Sequence, residues 1–220
     1  PVNLDVPFNV FKEPAEVDVP EPGAWRAGIS SRSGGDPAAI RQAVDLLRGA
    51  RRPLVYVGHG VTLSEAGDEL TAFVRRLRIP VIFSPNGFGT LDMTDPLALG
   101  FVGRNGVFGA NEAARTCDVL LALGVRFDDR SSSSWIPGYS FNIPPTRLIH
   151  VDIDPEEIGR NYPVHLGIVG DARAVLRQCA AAAEAPGPEG AGREAWLTDI
   201  AKWRAQWEAF VHPHWTSEAE

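Results

Sequence analysis

Sulfur is scarce in this chain, with two cysteines and one methionine among 220 residues. Cys117 and Cys179 sit in apolar stretches without metal-ligand spacing, which excludes a disulfide framework or zinc site and predicts two buried, reduced thiols. No run of about eighteen apolar residues occurs, and the N-terminus has no charged-then-apolar signal layout. A soluble, cytoplasmic protein with no membrane partner is expected. Basic charge is also short: 21 Lys plus Arg stand against 28 Asp plus Glu, a net charge of -7. That sign excludes a nucleic-acid partner, because no basic stripe compensates for it. The clusters Arg48/Arg51/Arg52 and Arg75/Arg76/Arg78 read as solvated helix ends.

Several catalytic patterns are missing as well. Gly58-His59-Gly60-Val61-Thr62-Leu63 lacks the third glycine of the dinucleotide fingerprint, and Phe83-Ser84-Pro85 lacks the acid that would take ribose hydroxyls, so ordinary NAD binding is disfavoured. Ser131 to Ser134 form a polar loop without the strained strand-to-helix elbow of a nucleophilic serine. His59 reads as a loop residue and His150 as a satisfied core histidine, while His212 and His214 have no third metal ligand. No residue is therefore assigned a catalytic or metal-binding role.

What is present is a repeated grammar of strand, glycine turn and helix. Val119 to Leu123 is an unbroken apolar run that suits a central strand covered on both faces. Leu54–Val57, Pro80–Ser84, Leu97–Val102, Arg147–Asp154 and Leu166–Asp171 read as further strands. Asp36-Pro37 starts a helix over about 37 to 48, Leu63 to Leu77 keep one helical spacing, and helices follow over about 107 to 115 and 172 to 183. Six strands alternating with helices predict an α/β fold with a six-stranded doubly wound parallel sheet. In such sheets ligands collect at the carboxyl ends of strands, where Gly58, Gly60, Gly87, Gly89, Gly103, Gly106, Gly124 and Gly170 all lie. Gly124-Val125-Arg126-Phe127-Asp128-Asp129-Arg130 adds a charged loop there. A plainer alternative stays open: its four charges pair with one another and only pin the loop.

The ends read differently. Pro1 to Pro7 alternate like a strand, residues 8–35 like a connector, and residues 184–192 like a linker. Trp196, Ile200, Trp203, Trp207 and Phe210 then form one apolar helix stripe, which either folds back on its own domain or docks on a partner or another domain. The expected division is 1–35 as the end of a preceding domain plus connector, 36–183 as a nucleotide-binding-like domain, 184–192 as linker, and 193–220 as a helix leading onward.

Tyr56-Val57-Gly58-His59-Gly60, Gly103-Arg104-Asn105-Gly106 with Ala110-Asn111, Gly124 to Arg130, His150 to Gly159 and Gly170-Asp171-Ala172 resemble, in order, the middle domain of thiamine-diphosphate-dependent enzymes, and within them the acetolactate (acetohydroxyacid) synthase large subunit. The resemblance covers roughly residues 37 to 180 and implies a Rossmann-like domain holding FAD or ADP, usually without redox work. It assigns cofactor binding to Gly58, His59, Gly60, Gly103, Asn105, Gly106, Gly124, Val125, Arg126, Asp128, Arg130, Asp152, Ile153, Gly170 and Asp171. Asn105 stands where the family usually has histidine, and Val102 where it has leucine. Thiamine diphosphate and Mg²⁺ would belong to the first and third domains of a homo-oligomeric parent transferase, since no Gly-Asp-Gly with paired asparagines follows here. The fragment alone is expected to do no thiamine chemistry. The alternative is an ADP-binding or ligand-free spacer of a related decarboxylase or acetyltransferase. A third possibility, an NAD-dependent deacylase, would need a zinc cysteine cluster that two distant cysteines do not supply.

Overall fold

The computed structural model describes residues 3–18, 21, 23, 32–184 and 192–216. It divides into two units, Pro1–Ser31 and Arg32–Glu220. In the first, residues 3–7 form no strand, because among the described residues nothing pairs with them and alternation alone does not hold an extended backbone. One 3-10 turn, Val10–Lys12, is its only regular element among the described residues. Much of the expected linker, residues 185–191, falls outside the described residues, as do Pro1 and Val2.

The second unit begins with α1 (Pro37–Gly49), whose start follows from local chemistry: the Asp36 carboxylate accepts the Ala38 and Ala39 amides and Pro37 fills the first turn. Then come β1 (Pro53–Val57), α2 (His59–Leu63), α3 (Gly67–Leu77), β2 (Val81–Phe83), β3 (Ala98–Phe101), α4 (Phe108–Thr116), β4 (Val119–Leu123), β5 (Arg147–Asp152), β6 (Leu166–Val169), α5 (Ala172–Ala182) and α6 (Arg193–Trp215). The sheet order is β3-β2-β1-β4-β5-β6 and every pairing is parallel. Successive residues of a strand point to opposite faces, and here both faces are covered. Val55, Val57, Leu121, Leu123 and Ile149 pack with α1, α3 and α5, while Leu54, Tyr56, Leu120 and Ala122 pack with α4 and α6. This explains why the central strands lack polar alternation.

The helical run from Leu63 to Leu77 is two helices rather than one. Glu65, at φ 54, breaks it, so that α2 ends at Leu63 and α3 restarts at Gly67, whose missing side chain admits the Thr90 carbonyl. The tryptophan stripe also divides. Trp196 and Ile200 are buried, the Trp196 indole donating to the Pro53 carbonyl at 3.0 Å and meeting Trp203 edge-on, whereas Phe210 and Trp215 stand exposed. The first half therefore folds back on its own domain. The arginine clusters are not merely solvated: Arg52 pairs with Asp199, Arg78 with Glu194, Arg75 with Asp95, and Arg76 donates to the Ala183 carbonyl. They tie α6 to the start of β1 and to the end of α3, and α3 in turn to the end of α5 and the turn before β3. Cys117 and Cys179 are buried free thiols, each pushed up to about 12 chiefly by burial.

Candidate functional site

Strand order reverses between β1 and β4, and their carboxyl ends lie side by side because Val57 is in register with Leu123. The chain leaves both strands into glycine turns that touch. Gly58 N–H donates to the Leu123 carbonyl at 3.0 Å, Gly60 N–H to the Gly124 carbonyl at 3.2 Å, and Gly124 N–H to the Val151 carbonyl at 2.8 Å. A methyl on Gly58 would lie 2.1 Å from the Gly124 oxygen, and one on Gly124, which sits at φ +56, would lie 2.5 Å from Gly60 Cα. These glycines let the turns after β1 and β4 share one crevice with the end of β5.

Above them are two hollows of about 260 and 310 Å³ that share Gly60, Leu63, Gly124, Asp152 and Ile153, making one groove along the strand ends. The first also takes in Gly58, His59, Val125, Arg126 and Asp128, the second Gly170 and Asp171. Leu63 and Ile153 are 69% and 65% exposed, so two aliphatic side chains are left in water at the groove. Asp152 spends Oδ1 on the Asp154 amide, and Arg126 is largely exposed, its nearest carboxylate being Glu157 at 3.7 Å. An apolar slot, a partly free carboxylate and a solvated cation thus lie together.

The two other acids have structural duties. Burial raises Asp128, yet the Ser131 hydroxyl at 2.6 Å and the Ser131 and Arg130 amides outweigh it and hold its carboxyl below the usual range. Asp171 is likewise raised by burial but held low overall by the Ser64 hydroxyl at 2.6 Å, the α5 amides it caps, and Arg32 at 2.9 Å. His150 is buried with Nε2 at 2.8 Å from the Val125 carbonyl, and burial lowers its pKa, so it is a neutral core residue supporting the Val125 turn.

The family described as thiamine pyrophosphate enzyme, central domain, matches residues 40–179. The chain belongs to this family. That match runs from within α1 to within α5 and takes in the whole sheet and most of the groove. The chain is also 37% identical over 209 residues to a probable acetolactate synthase large subunit of Methanocaldococcus jannaschii, covering 91% of this chain and 33% of the relative. It is 34% identical over 211 residues to the acetolactate synthase large subunit of Haemophilus influenzae, covering 94% and 36%, and 39% identical over 180 residues to the acetolactate synthase of Arthrospira platensis, covering 80% and 30%. The chain therefore spans about a third of the length of these curated relatives.

Within this central domain, not every expected site residue reaches the groove. Gly103, Asn105, Gly106 and Arg130 line neither hollow. Gly103, at φ +107, leaves 2.4 Å between a hypothetical methyl and the Arg130 carbonyl, and the Asn111 amide clasps the Gly103 backbone at 2.9 and 3.0 Å. This second cluster ties the end of β3 to the loop after β4. The charged residues of that loop do not pair among themselves: Arg126 faces Glu157, Asp129 faces Arg104, and Asp128 takes amides and a hydroxyl. Ser131, Ser132 and Ser133, expected as a polar loop, are buried beneath it because Asp128 and Ser140 give two of their hydroxyls partners. Sequence reasoning missed Leu63, Asn86, Ser64 and Arg32 as lining residues. The Leu63 signal was its helical spacing, which assigned it to the core; the Glu65 break turns it outward.

Proposed function

We propose that this central domain holds an adenine nucleotide, FAD or ADP, in extended form across the rim formed by β1, β4 and β5. The observation that supports the reading is the pair Leu63 and Ile153, exposed on the groove beside Asp152. Two aliphatic groups left in water at a strand-end crevice suit a flat heteroaromatic ring, and an adjacent carboxylate suits ribose hydroxyls. Gly58, His59 and Gly60 would face the nucleotide backbone, with Arg126 offsetting diphosphate charge and Val125, Gly124 and Asp128 shaping the wall. Gly170 and Asp171 would close the adenosine end, Asp171 through the loop it fixes rather than through a free oxygen. Gly103, Asn105, Gly106 and Arg130 enter the proposal only as supports for the loop after β4.

The parent of this fragment would be an acetolactate-synthase-like homo-oligomer that joins the two-carbon unit of decarboxylated pyruvate to a 2-oxo acid. Thiamine diphosphate with Mg²⁺, held by the other domains, would supply the nucleophilic carbon for that reaction. This domain contributes binding and assembly. A chain that stays monomeric in light scattering would move the assembly role to the other domains.

Thermal unfolding with FAD, ADP and NAD tests the nucleotide reading. At a hundredfold excess over Kd a bound nucleotide adds about 2.7 kcal/mol. Ile153→Asp, at the surface, should leave the ligand-free melting temperature nearly unchanged and abolish the gain, and Asp152→Ala, which also releases the Asp154 amide, should abolish the gain at a cost of about 1 kcal/mol. A second reading, a ligand-free spacer, draws on the engagement of Asp171 and the glycines in structural contacts. No gain with any nucleotide would establish that reading and remove the first.

A further inference from the structure

Away from the strand ends, a hollow of about 720 Å³ opens between the end of α3, the turn before β3 and α6. Its floor is apolar, built from Pro96, Leu97, Leu197, Ile200 and Ala201. Three arginines, Arg75, Arg78 and Arg204, line it. Asp95 organises two of them from beneath: its buried carboxylate accepts Arg75 Nε at 2.8 Å and the Leu97 amide at 2.9 Å, and its carbonyl accepts Arg204 Nη1 at 2.8 Å. Each guanidinium is thus fixed by one nitrogen, and its other nitrogens have no hydrogen-bond partner among the described residues. Arg78 is occupied by Glu194. Asp92, whose carboxylate feels Arg75 through space, joins Asp95 and Glu194 to set three carboxylates against the three cations, so the attraction for an anion lies in the free N–H groups and not in a net charge.

We propose that this hollow is a binding site for a small aliphatic monocarboxylate, with the carboxylate on the free N–H groups of Arg75 and Arg204 and the hydrocarbon on Leu97, Leu197 and Ala201. Guanidinium groups held rigid by a buried acid lose little freedom on binding a planar anion, and the planar fork matches a carboxylate. Two guanidinium edges with free N–H groups suit one carboxylate, and the apolar floor requires a body that covers it. A bare inorganic anion would leave the leucines wet. The site is separate from the groove at the strand ends and does not rest on the nucleotide reading.

Isothermal titration calorimetry on the 220-residue chain, with hexanoate, acetate, hexanol and hexylammonium as probes, tests this. Hexanoate should bind saturably at one site, and acetate and hexanol about tenfold or more weakly, each lacking one of the two recognition elements; hexylammonium should not bind. Arg204→Gln should weaken hexanoate by a similar factor. Because that change also releases the Asp95 carbonyl, Ala201→Glu serves as the second variant: it places an anion on the exposed floor without touching Asp95 and should abolish hexanoate binding at an unchanged melting temperature. Absence of saturable heat overturns the proposal. So does equal affinity for hexanol, displacement of hexanoate by ADP, or undiminished binding to a folded Ala201→Glu chain.

Discussion

Replacing Trp196 by alanine measures how α6 is held. The indole is 1% exposed, donates to the Pro53 carbonyl at 3.0 Å, lies edge-on to Trp203 at 5.8 Å, and has the Arg52 guanidinium 5.2 Å above its ring. A buried tryptophan truncated to alanine costs about 3 to 5 kcal/mol, part of it from the void left behind. The orphaned Pro53 carbonyl adds about 1 kcal/mol. Taking about 4 kcal/mol, and about 2 to 4 °C per kcal/mol for a domain of this size, the melting temperature should fall by about 8 to 16 °C. Trp196→Phe keeps most of the volume and loses the hydrogen bond, so about 1 to 2 kcal/mol is expected from it. Trp215, 83% exposed on the same helix, is the control, and its alanine variant should stay within about 0.5 kcal/mol of wild type. Urea unfolding followed by circular dichroism reads all three, with an unchanged slope marking a change in stability rather than in the folded state's compactness. Trp196→Ala indistinguishable from Trp215→Ala would show α6 undocked in solution and refute the fold-back reading.

Two further substitutions probe the rim. Gly58→Ala places a methyl 2.1 Å from the Gly124 oxygen, so the turns after β1 and β4 must separate; a loss of about 2 to 3 kcal/mol in urea unfolding is expected, together with loss of any ADP-induced stabilisation. Asp171→Asn removes a charge that caps α5 and accepts from Ser64 and Arg32, at a cost of about 1 to 2 kcal/mol near neutral pH. Because Asp171 is held below the usual carboxylate range in the folded chain, its contribution is present above the unfolded value of about 3.9 and is lost as pH falls through the folded value. The stability gap between wild type and variant should therefore close on acidification below about pH 4. A gap constant across that range would show that the charge has no part in it.

The architecture was legible because its signals are local. Asp36-Pro37 announced a helix through capping chemistry, and Val119 to Leu123 announced a doubly covered strand through uninterrupted apolarity; both stand within a residue of where they were expected. The failures share one cause, which is that partners distant in sequence decide exposure. Leu63 has the spacing of a core residue, yet Glu65 enters the left-handed region and ends its helix early. Arg75 and Arg78 look solvated until Asp95 and Glu194, some 20 and 116 residues away, are brought to them. Trp196 and Phe210 share one helical stripe, and only the position of α4 and β1 separates the buried one from the exposed one.

Glycine illustrates why a rim can be found from sequence while its ligand contacts cannot. An absent side chain permits close approach from either side, and the sequence does not say whether a ligand or another loop takes the space. At Gly58, Gly60 and Gly124 the Cβ direction is filled by neighbouring backbone, so these residues build the crevice floor whether or not anything lies above it. The features that point to a ligand are of another kind: Leu63 and Ile153 left in water, and an arginine at position 126 that stays largely exposed although Glu157 lies 3.7 Å away. Aliphatic groups gathered in water at one crevice, unlike ones scattered singly, are the kind of exposed surface that suits a ligand. Glycines mark the candidate crevice, and the exposed aliphatic pair beside it describes what the proposed ligand would cover.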